Sequence, residues 1–299
     1  MGKLQSKSTS RIVKSETGLP PGVRMSDKGY LSRFRAMVYG PSGLGKTTVA
    51  ATFSKHWPKS WPPKKGVVLK DMFWISVDGG ATNSLGQFGV SIPEIALRDD
   101  LMSPPKKGET KTYVPDLINA MAHILKVAEE MVVNHGVECL VLDTASQLNN
   151  DICAYWDAPQ RHPGPGPQYW GKVKNTEGRF FPNLMRLPCH LIILCHEKQI
   201  IDMGDDGAKK RVKALTPVGP HEFLPAISGS ALGDYVQNMD VALSLLGSQR
   251  LKTKQFARKL HPLSAEGHMG KCRFQHLLDL EEEPDLRKLF NKLEKRKNT

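Results

Sequence analysis

An α/β fold, with a mostly parallel sheet covered by helices on both faces, is predicted by three features of this sequence. Short apolar runs alternate with segments of helical periodicity, the pattern that crossover connections between parallel strands impose. The runs at 137–142 and 190–195 are almost wholly apolar, as strands buried on both faces must be. A glycine-rich stretch at 40–47 stands between a β-prone run and a helix-prone one.

Taken in order, residues 1–30 are polar, basic and rich in Ser, Gly and Pro, and read as a flexible arm. Residues 35–39 predict a strand and 47–56 a helix, which Pro58, Pro62 and Pro63 then break. Strands are expected at 67–69 and 72–77, followed by the turn Asp78-Gly79-Gly80, and 103–115 reads as a polar, Pro-rich loop. Leu117, Met121, Ile124, Leu125 and Ala128 recur at helical spacing and predict a helix over 116–133. After the strand at 137–142, the prolines and glycines of 157–168 exclude helix or central strand, and a helix is expected from about 171 to 186. The strand at 190–195 follows. Residues 198–222 read as a mobile loop or long hairpin. A helix (231–238), a strand (240–246), β-like segments near 250–260 and 269–275, and a basic amphipathic helix (285–297) complete the chain. The expected organisation is an arm (1–30), a core (31–280) and a basic helical tail (281–299).

A chain of 299 residues with 39% hydrophobic residues can bury a sizeable core. Its mean hydropathy is −0.37, and its longest apolar stretch is far too short to span a bilayer. No membrane partner is expected, nor a signal peptide. Met1-Gly2 with Ser6 matches a myristoylation site only by a short pattern. Cys139, Cys153, Cys189, Cys195 and Cys272 have no CxxC spacing, which disfavours zinc and suits a reducing compartment such as the cytoplasm. The net charge of +12 is concentrated toward both ends, as in a partner of polyanions; a solubilising surface is the plainer reading.

Gly40-Pro41-Ser42-Gly43-Leu44-Gly45-Lys46-Thr47 matches GxxxxGK[ST] in full, with Thr48 following. Glycines let backbone N–H groups curl around an anion, Lys46 would reach the β- and γ-phosphates, and the Thr47 hydroxyl would ligate Mg²⁺. The motif predicts ATP with magnesium. Such a loop needs a second carboxylate at the end of a neighbouring buried strand, and Asp143 closes the run Cys139-Leu140-Val141-Leu142. As a strand-end cap alone it would be unremarkable. No Asn-Lys-x-Asp segment marks a GTPase and no Leu-Ser-Gly-Gly-Gln an ABC ATPase; a small-molecule kinase would need a lid, of which the basic residues 209–213 are a poor version.

Leu140-Val141-Leu142-Asp143-Thr144-Ala145-Ser146-Gln147-Leu148 resembles the Walker B strand and turn of the RecA-like recombinases. His190-Leu191-Ile192-Ile193-Leu194-Cys195-His196-Glu197-Lys198 resembles their next core strand, and Trp74-Ile75-Ser76-Val77-Asp78-Gly79-Gly80 the strand that ends in their water-activating carboxylate. Over residues 34–280 the order is similar to the phage-encoded RecA-like ATPases of the Sak single-strand annealing type, with further likeness at Gly233-Asp234-Tyr235, at Asp240-Val241-Ala242-Leu243 and at Gly270-Lys271-Cys272-Arg273. The resemblance implies that Asp78 polarises the attacking water, although the family has Glu there. It implies that His196 senses the γ-phosphate, and that Lys271 and Arg273 reach a neighbouring subunit's nucleotide. It also implies two DNA-contacting loops. The first would carry Arg161, Tyr169, Trp170, Lys172 and Lys174, the second Lys198, Lys209, Lys210, Arg211 and Lys213. Each of these has a local structural reading as well: a turn cap, a strand-end histidine, a solvated strand edge, an aromatic anchor. The function implied is a magnesium-dependent, DNA-stimulated ATPase acting on single-stranded DNA in phage recombination or annealing, within a ring or filament. A single-strand-binding protein is a further partner, and the host cytoplasm the place of action. The alternatives are a DNA motor or helicase loader for replication or packaging, and a weakly hydrolysing ATP-switched assembly protein.

Overall fold

The first strand, β1 (Arg35–Gly40), is buried along almost its whole length and sends alternate side chains to opposite layers. Ala36 and Val38 join one core cluster, Met37 and Tyr39 the other. This period-two division is what the doubly apolar runs of the sequence require. The computed structural model describes residues 33–55, 70–77, 79–97, 116–157, 166–203, 209–211, 214–216, 219–227, 231–249 and 256–295. Asp78, Arg161, Lys213 and the strand expected at 67–69 lie outside them.

In chain order the strands continue as β2 (Met72–Ser76), β3 (Glu94–Ala96), β4 (Cys139–Asp143), β5 (His190–Gln199), β6 (Ile201–Met203), β7 (Lys209–Arg211), β8 (Ala214–Thr216), β9 (Gly219–His221), β10 (Phe223–Pro225), β11 (Val241–Gln249), β12 (Phe256–His261) and β13 (Lys271–Cys272). The main sheet runs β12-β11-β1-β5-β4-β2-β3, with β10 added to β5 and β13 to β11. From β11 to β3 every pairing is parallel; β10, β12 and β13 are antiparallel. The expected α/β fold with a mostly parallel sheet is therefore present. The segment 198–222, expected as a loop or long hairpin, holds two small two-stranded sheets, β6-β7 and β8-β9.

The helices are α1 (Lys46–Ala51), α2 (Gly80–Gly86), α3 (Leu117–Val133), α4 (Ala145–Asp157), α5 (Pro167–Arg186), α6 (Ala231–Asn238) and α7 (Leu286–Lys295). Buried residues of α3 to α6 share one cluster, those of α1, α2 and α7 the other. Two helix boundaries depart most from the sequence reading. The first helix stops at Ala51 because the chain turns off to pair Ser54 with Lys70. α5 begins at Pro167, four residues early, since proline in the first turn forfeits only an N–H that the helix leaves unbonded anyway.

The expected basic tail belongs to this core. Phe290 of α7 lies edge-on to Phe34, Phe53 and His190, with centroids 5.5, 5.1 and 5.3 Å away. The basic face of α7 is matched by the acidic segment before it. Arg287 pairs with Asp285, Lys288 with Glu283, and Lys292 with Asp279 and Glu282. Among the described residues no helix is long and apolar enough to cross a membrane, and no cluster of His, Cys, Asp and Glu could hold a metal. Four of the five cysteines are buried, and burial pushes Cys189 and Cys195 up to about 12.

Glu177 is buried between α4 and α5, accepts a hydrogen bond from Asn149, and is pushed up to about 7 by that burial. The folded state thus keeps its proton at pH values where the unfolded chain, at 4.5, has released it. Stability must fall as pH rises from that unfolded value through about 7, by roughly 3 kcal/mol. Glu177→Gln is expected to stabilise the protein at about pH 8 and to change little at about pH 5. Urea denaturation at the two pH values checks this; an equal shift at both would show that another group titrates.

Candidate active site

The glycine-rich loop leaves β1 at Gly40, where the backbone passes so near β11 that an added Cβ would lie 2.5 Å from the Leu245 carbonyl oxygen. Gly43 and Gly45 then adopt φ of 78° and 83°, the left-handed region where a side chain strains the backbone. These turns deliver Lys46 to the start of α1, buried at 6% exposure. Its ammonium donates to the carbonyl oxygens of Gly40 (2.9 Å) and Pro41 (2.8 Å), bridging the mouth of the loop. Burial pulls the Lys46 pKa below the usual lysine value, and the nearby Asp143 carboxylate pulls it back.

Asp143, the last residue of β4, is buried at 5% exposure and accepts a hydrogen bond from the Thr47 hydroxyl at 2.9 Å. The indole of Trp74, wholly buried on the neighbouring β2, donates to the same carboxylate oxygen at 3.4 Å. Thr144 then caps the next helix, its hydroxyl accepting from the Gln147 amide at 3.2 Å. β5 lies between β1 and β4, and its register sets His196 beside Gly40. The His196 amide donates to the buried Ser146 hydroxyl on α4 at 2.9 Å.

A cavity of about 400 Å³ opens over these groups. Lys46, Thr47, Asp143 and His196 line it, with Arg258 of β12 on one side and Phe88 on the other. The Arg258 guanidinium stands over the loop: a Cβ at Gly45 would meet its Nη1 at 3.0 Å. Two cations and turned-in loop amides suit a polyphosphate. One hydroxyl and one carboxylate in contact suit a divalent ion.

The family described as AAA domain matches residues 32–219, a span that runs from the glycine-rich loop through the Asp143 strand and β5. This chain belongs to the AAA domain family. It is therefore an AAA-type P-loop ATPase, of a family that uses nucleotide and usually magnesium. Among solved structures, a KaiC-like protein from the hyperthermophilic archaeon Pyrococcus horikoshii OT3 is similar over 76% of this chain and 77% of its own, at 11% identity and a TM-score of 0.38. No curated protein matches the sequence.

Of the residues singled out in the sequence, the AAA fold brings Ser42, Gly43, Gly45 to Thr48, Asp143 and His196 to one cavity, with the Gly40 and Pro41 carbonyls bound by Lys46. Asp78 lies outside the described residues, although its neighbour Gly79 donates to the Ser76 hydroxyl at 3.0 Å. Lys271 and Arg273, expected to reach a neighbouring subunit's nucleotide, are engaged within this chain. Lys271 donates to the Val236, Gln237 and Met239 carbonyls, and Arg273 to Asp240 and the Gln237 carbonyl, so both close the C-terminal end of α6. Tyr169, expected to stack on DNA, is 5% exposed, with its hydroxyl donating to the Cys153 carbonyl at 3.1 Å. Trp170 is 48% exposed. Trp170, Lys172 and Lys174 are helical, and residues two apart on a helix differ by about 200° in direction. Lys172 therefore points away from Trp170 and Lys174, which lie four apart on one face. Lys198 donates to the Ile227 carbonyl and is partly buried, which takes it out of a mobile loop. Lys209, Lys210 and Arg211 form β7. Arg161 and Lys213 lie outside the described residues.

Sequence reading missed Trp74 and Arg258. Trp74 carried a signal, an aromatic inside the strand beside the Asp143 strand. Arg258 had none, because only the β11-β12 pairing brings it to the loop. Gly40→Ala is expected to force β1 and β11 apart and to cost about 1–3 kcal/mol, read as a lowered urea midpoint. An unchanged midpoint would mean the strands approach less closely than described.

Proposed function

We propose that this AAA domain is a magnesium-dependent ATPase that acts on single-stranded DNA in recombination or annealing, as the Sak-type phage proteins it resembles do. It works in the cytoplasm as a ring or filament, alongside a single-strand-binding protein. The observation that carries the nucleotide half is the contact of the Thr47 hydroxyl with the Asp143 carboxylate beside Lys46. The DNA half is supported by the sequence resemblance and by the net charge of +12.

In this reading Lys46 exchanges the Gly40 and Pro41 carbonyls for phosphate oxygens, a charge-assisted gain over neutral acceptors. Thr47 and Asp143 hold magnesium, which when bound neutralises charge developing on the phosphates. Trp74 fixes the Asp143 oxygen from below. The sheet order gives the site a direction. Asp143 and His196 lie toward β4 and β5, while Arg258 lies across β1 on β12. Arg258 therefore serves the nucleoside end of the ligand and the α-phosphate.

Lys46→Ala is expected to abolish turnover, and single-stranded DNA to raise wild-type turnover several-fold. Robust turnover indifferent to any nucleic acid would sink the DNA half alone; a preference for duplex would favour a motor. Arg258→Ala is expected to raise the KM for ATP about tenfold with a smaller change in kcat, the mark of lost binding common to ground and transition states. Steady-state kinetics checks the split, and a fall confined to kcat would move Arg258 to the reacting phosphate.

A further inference from the structure

We propose that Gln87 is a catalytic residue of this ATPase: its side-chain oxygen orients the water that attacks the terminal phosphate. The inference rests on the ATPase reading of the cavity and adds a residue on the wall away from Arg258.

The placement follows from α2 and the way it ends. Gly80, Ser84 and Gln87 recur at spacings that keep helical residues on one face, and all three line the nucleotide cavity. That face of α2 is thus the wall of the cavity on the β2 side. The helix is anchored at both ends. Where the chain leaves β2, the Gly79 amide donates to the Ser76 hydroxyl. At the far end the Val90 amide donates to the Leu85 carbonyl at 3.2 Å and the Gly89 amide to the Gly86 carbonyl at 2.9 Å, with Gly89 at a φ of 67°. These are the paired bonds of a Schellman ending. Leu85 and Val90 are buried in the same core cluster, so the turn that carries Gln87 and Phe88 is pinned to the core.

The amide of Gln87 is also fixed. Its Nε2 donates to the Ser84 carbonyl oxygen at 2.8 Å. A carbonyl oxygen only accepts, so this contact settles which end of the amide faces the helix. The atom left for the cavity is Oε1, an acceptor. The sheet order names the end of the ligand it meets. From β12, which carries Arg258, the order passes β1 before Lys46 and β4 with Asp143, then reaches β2, from which α2 follows. A triphosphate with its nucleoside by Arg258 and its β- and γ-phosphates by Lys46 and Asp143 ends against α2. In hydrolysis the water oxygen bonds to the γ-phosphorus as the bond to the β–γ bridging oxygen breaks. That electron pair leaves with ADP, and the surplus proton of the water ends on the inorganic phosphate. Gln87 takes no proton. By accepting a hydrogen bond it turns a lone pair of the water toward phosphorus, in line with the leaving oxygen. A neutral oxygen does so without setting a further full negative charge beside the phosphate. Asp143 is committed elsewhere, to Thr47 and Trp74. Phe88 lines the same end and presents an apolar ring, which offers the water no competing acceptor oxygen.

The test uses the full chain as wild type, Gln87→Ala and Gln87→Met; methionine keeps the length of the side chain and lacks its oxygen. Gln87 is exposed, so urea midpoints should match wild type and serve as the control for folding. In both variants kcat should fall about 10- to 100-fold while the KM for ATP changes less than about twofold. Binding gives a second readout. Affinity for MgADP should hold, whereas affinity for MgADP with aluminium fluoride, a mimic of the transferring phosphoryl group, should fall by a similar factor. Unchanged kcat and unchanged affinity for the mimic would overturn the role of Gln87 and leave the ATPase reading intact. A rise confined to KM and shared by ADP would overturn it too, placing Gln87 on the nucleoside. A loss in Gln87→Ala that Gln87→Met restores would show that bulk, not the oxygen, is needed. Wild type that turns over no ATP would overturn the ATPase reading itself.

Discussion

The site depends on one register. Thr47 can reach Asp143 only if β1 and β4 keep a fixed stagger on either side of β5, and the pairings Gly40 with His196 and Asp143 with Leu194 set it, carrying β1 two residues beyond β4. A slip of one residue in either strand would turn Asp143 to the opposite face, because side chains alternate with period two. The apolar alternation of these strands is thus more than core filling. Val141 and Leu142 belong to different clusters, and their burial on opposite sides fixes which way Asp143 points. Trp74 reinforces the same choice from β2, since it is paired with Val141 and donates to the carboxylate.

What could be read from the sequence follows from how local the determining contacts are. The phosphate loop was legible because its chemistry is contiguous: the glycines that bend it and the lysine and threonine that serve it lie within eight positions. Asp143 was legible because a carboxylate ending an apolar run is itself a pattern. Arg258 was not, since more than two hundred positions and an antiparallel edge pairing separate it from Gly45. The start of α5 was misplaced because Pro167 was read as a breaker, although proline is compatible with a first helical turn. The helical period itself was there to be found. Tyr169, Val173, Thr176, Glu177, Phe180 and Leu184 form one buried stripe, which would have placed Tyr169 in the core.

Charge was the least reliable guide to function, and the reason is physical. A formal excess of +12 says nothing of where the field is. At the C-terminal end, Arg287, Lys288 and Lys292 were counted toward a polyanion-binding tail, yet each faces a carboxylate of the segment 279–285. Lys271 and Arg273 likewise complete the backbone of α6.

The nucleotide cavity and a groove lined by Met121, Trp156 and Phe180 share one rigid element. α4 begins at the residues that follow Asp143, and Ser146 in its first turn receives the His196 amide. Thirteen residues later, about 20 Å along the axis, the same helix ends at Trp156 and Asp157 beside the groove. A ligand shifts an equilibrium only through a difference in its affinity for two states, so a link between the sites needs an element that both ligands touch. α4 touches the nucleotide cavity at one end and packs on α5 at the other, so displacement at Thr144 and Ser146 is displacement at Trp156. The hydrogen bond from Trp156 to Thr176 then carries it to α5.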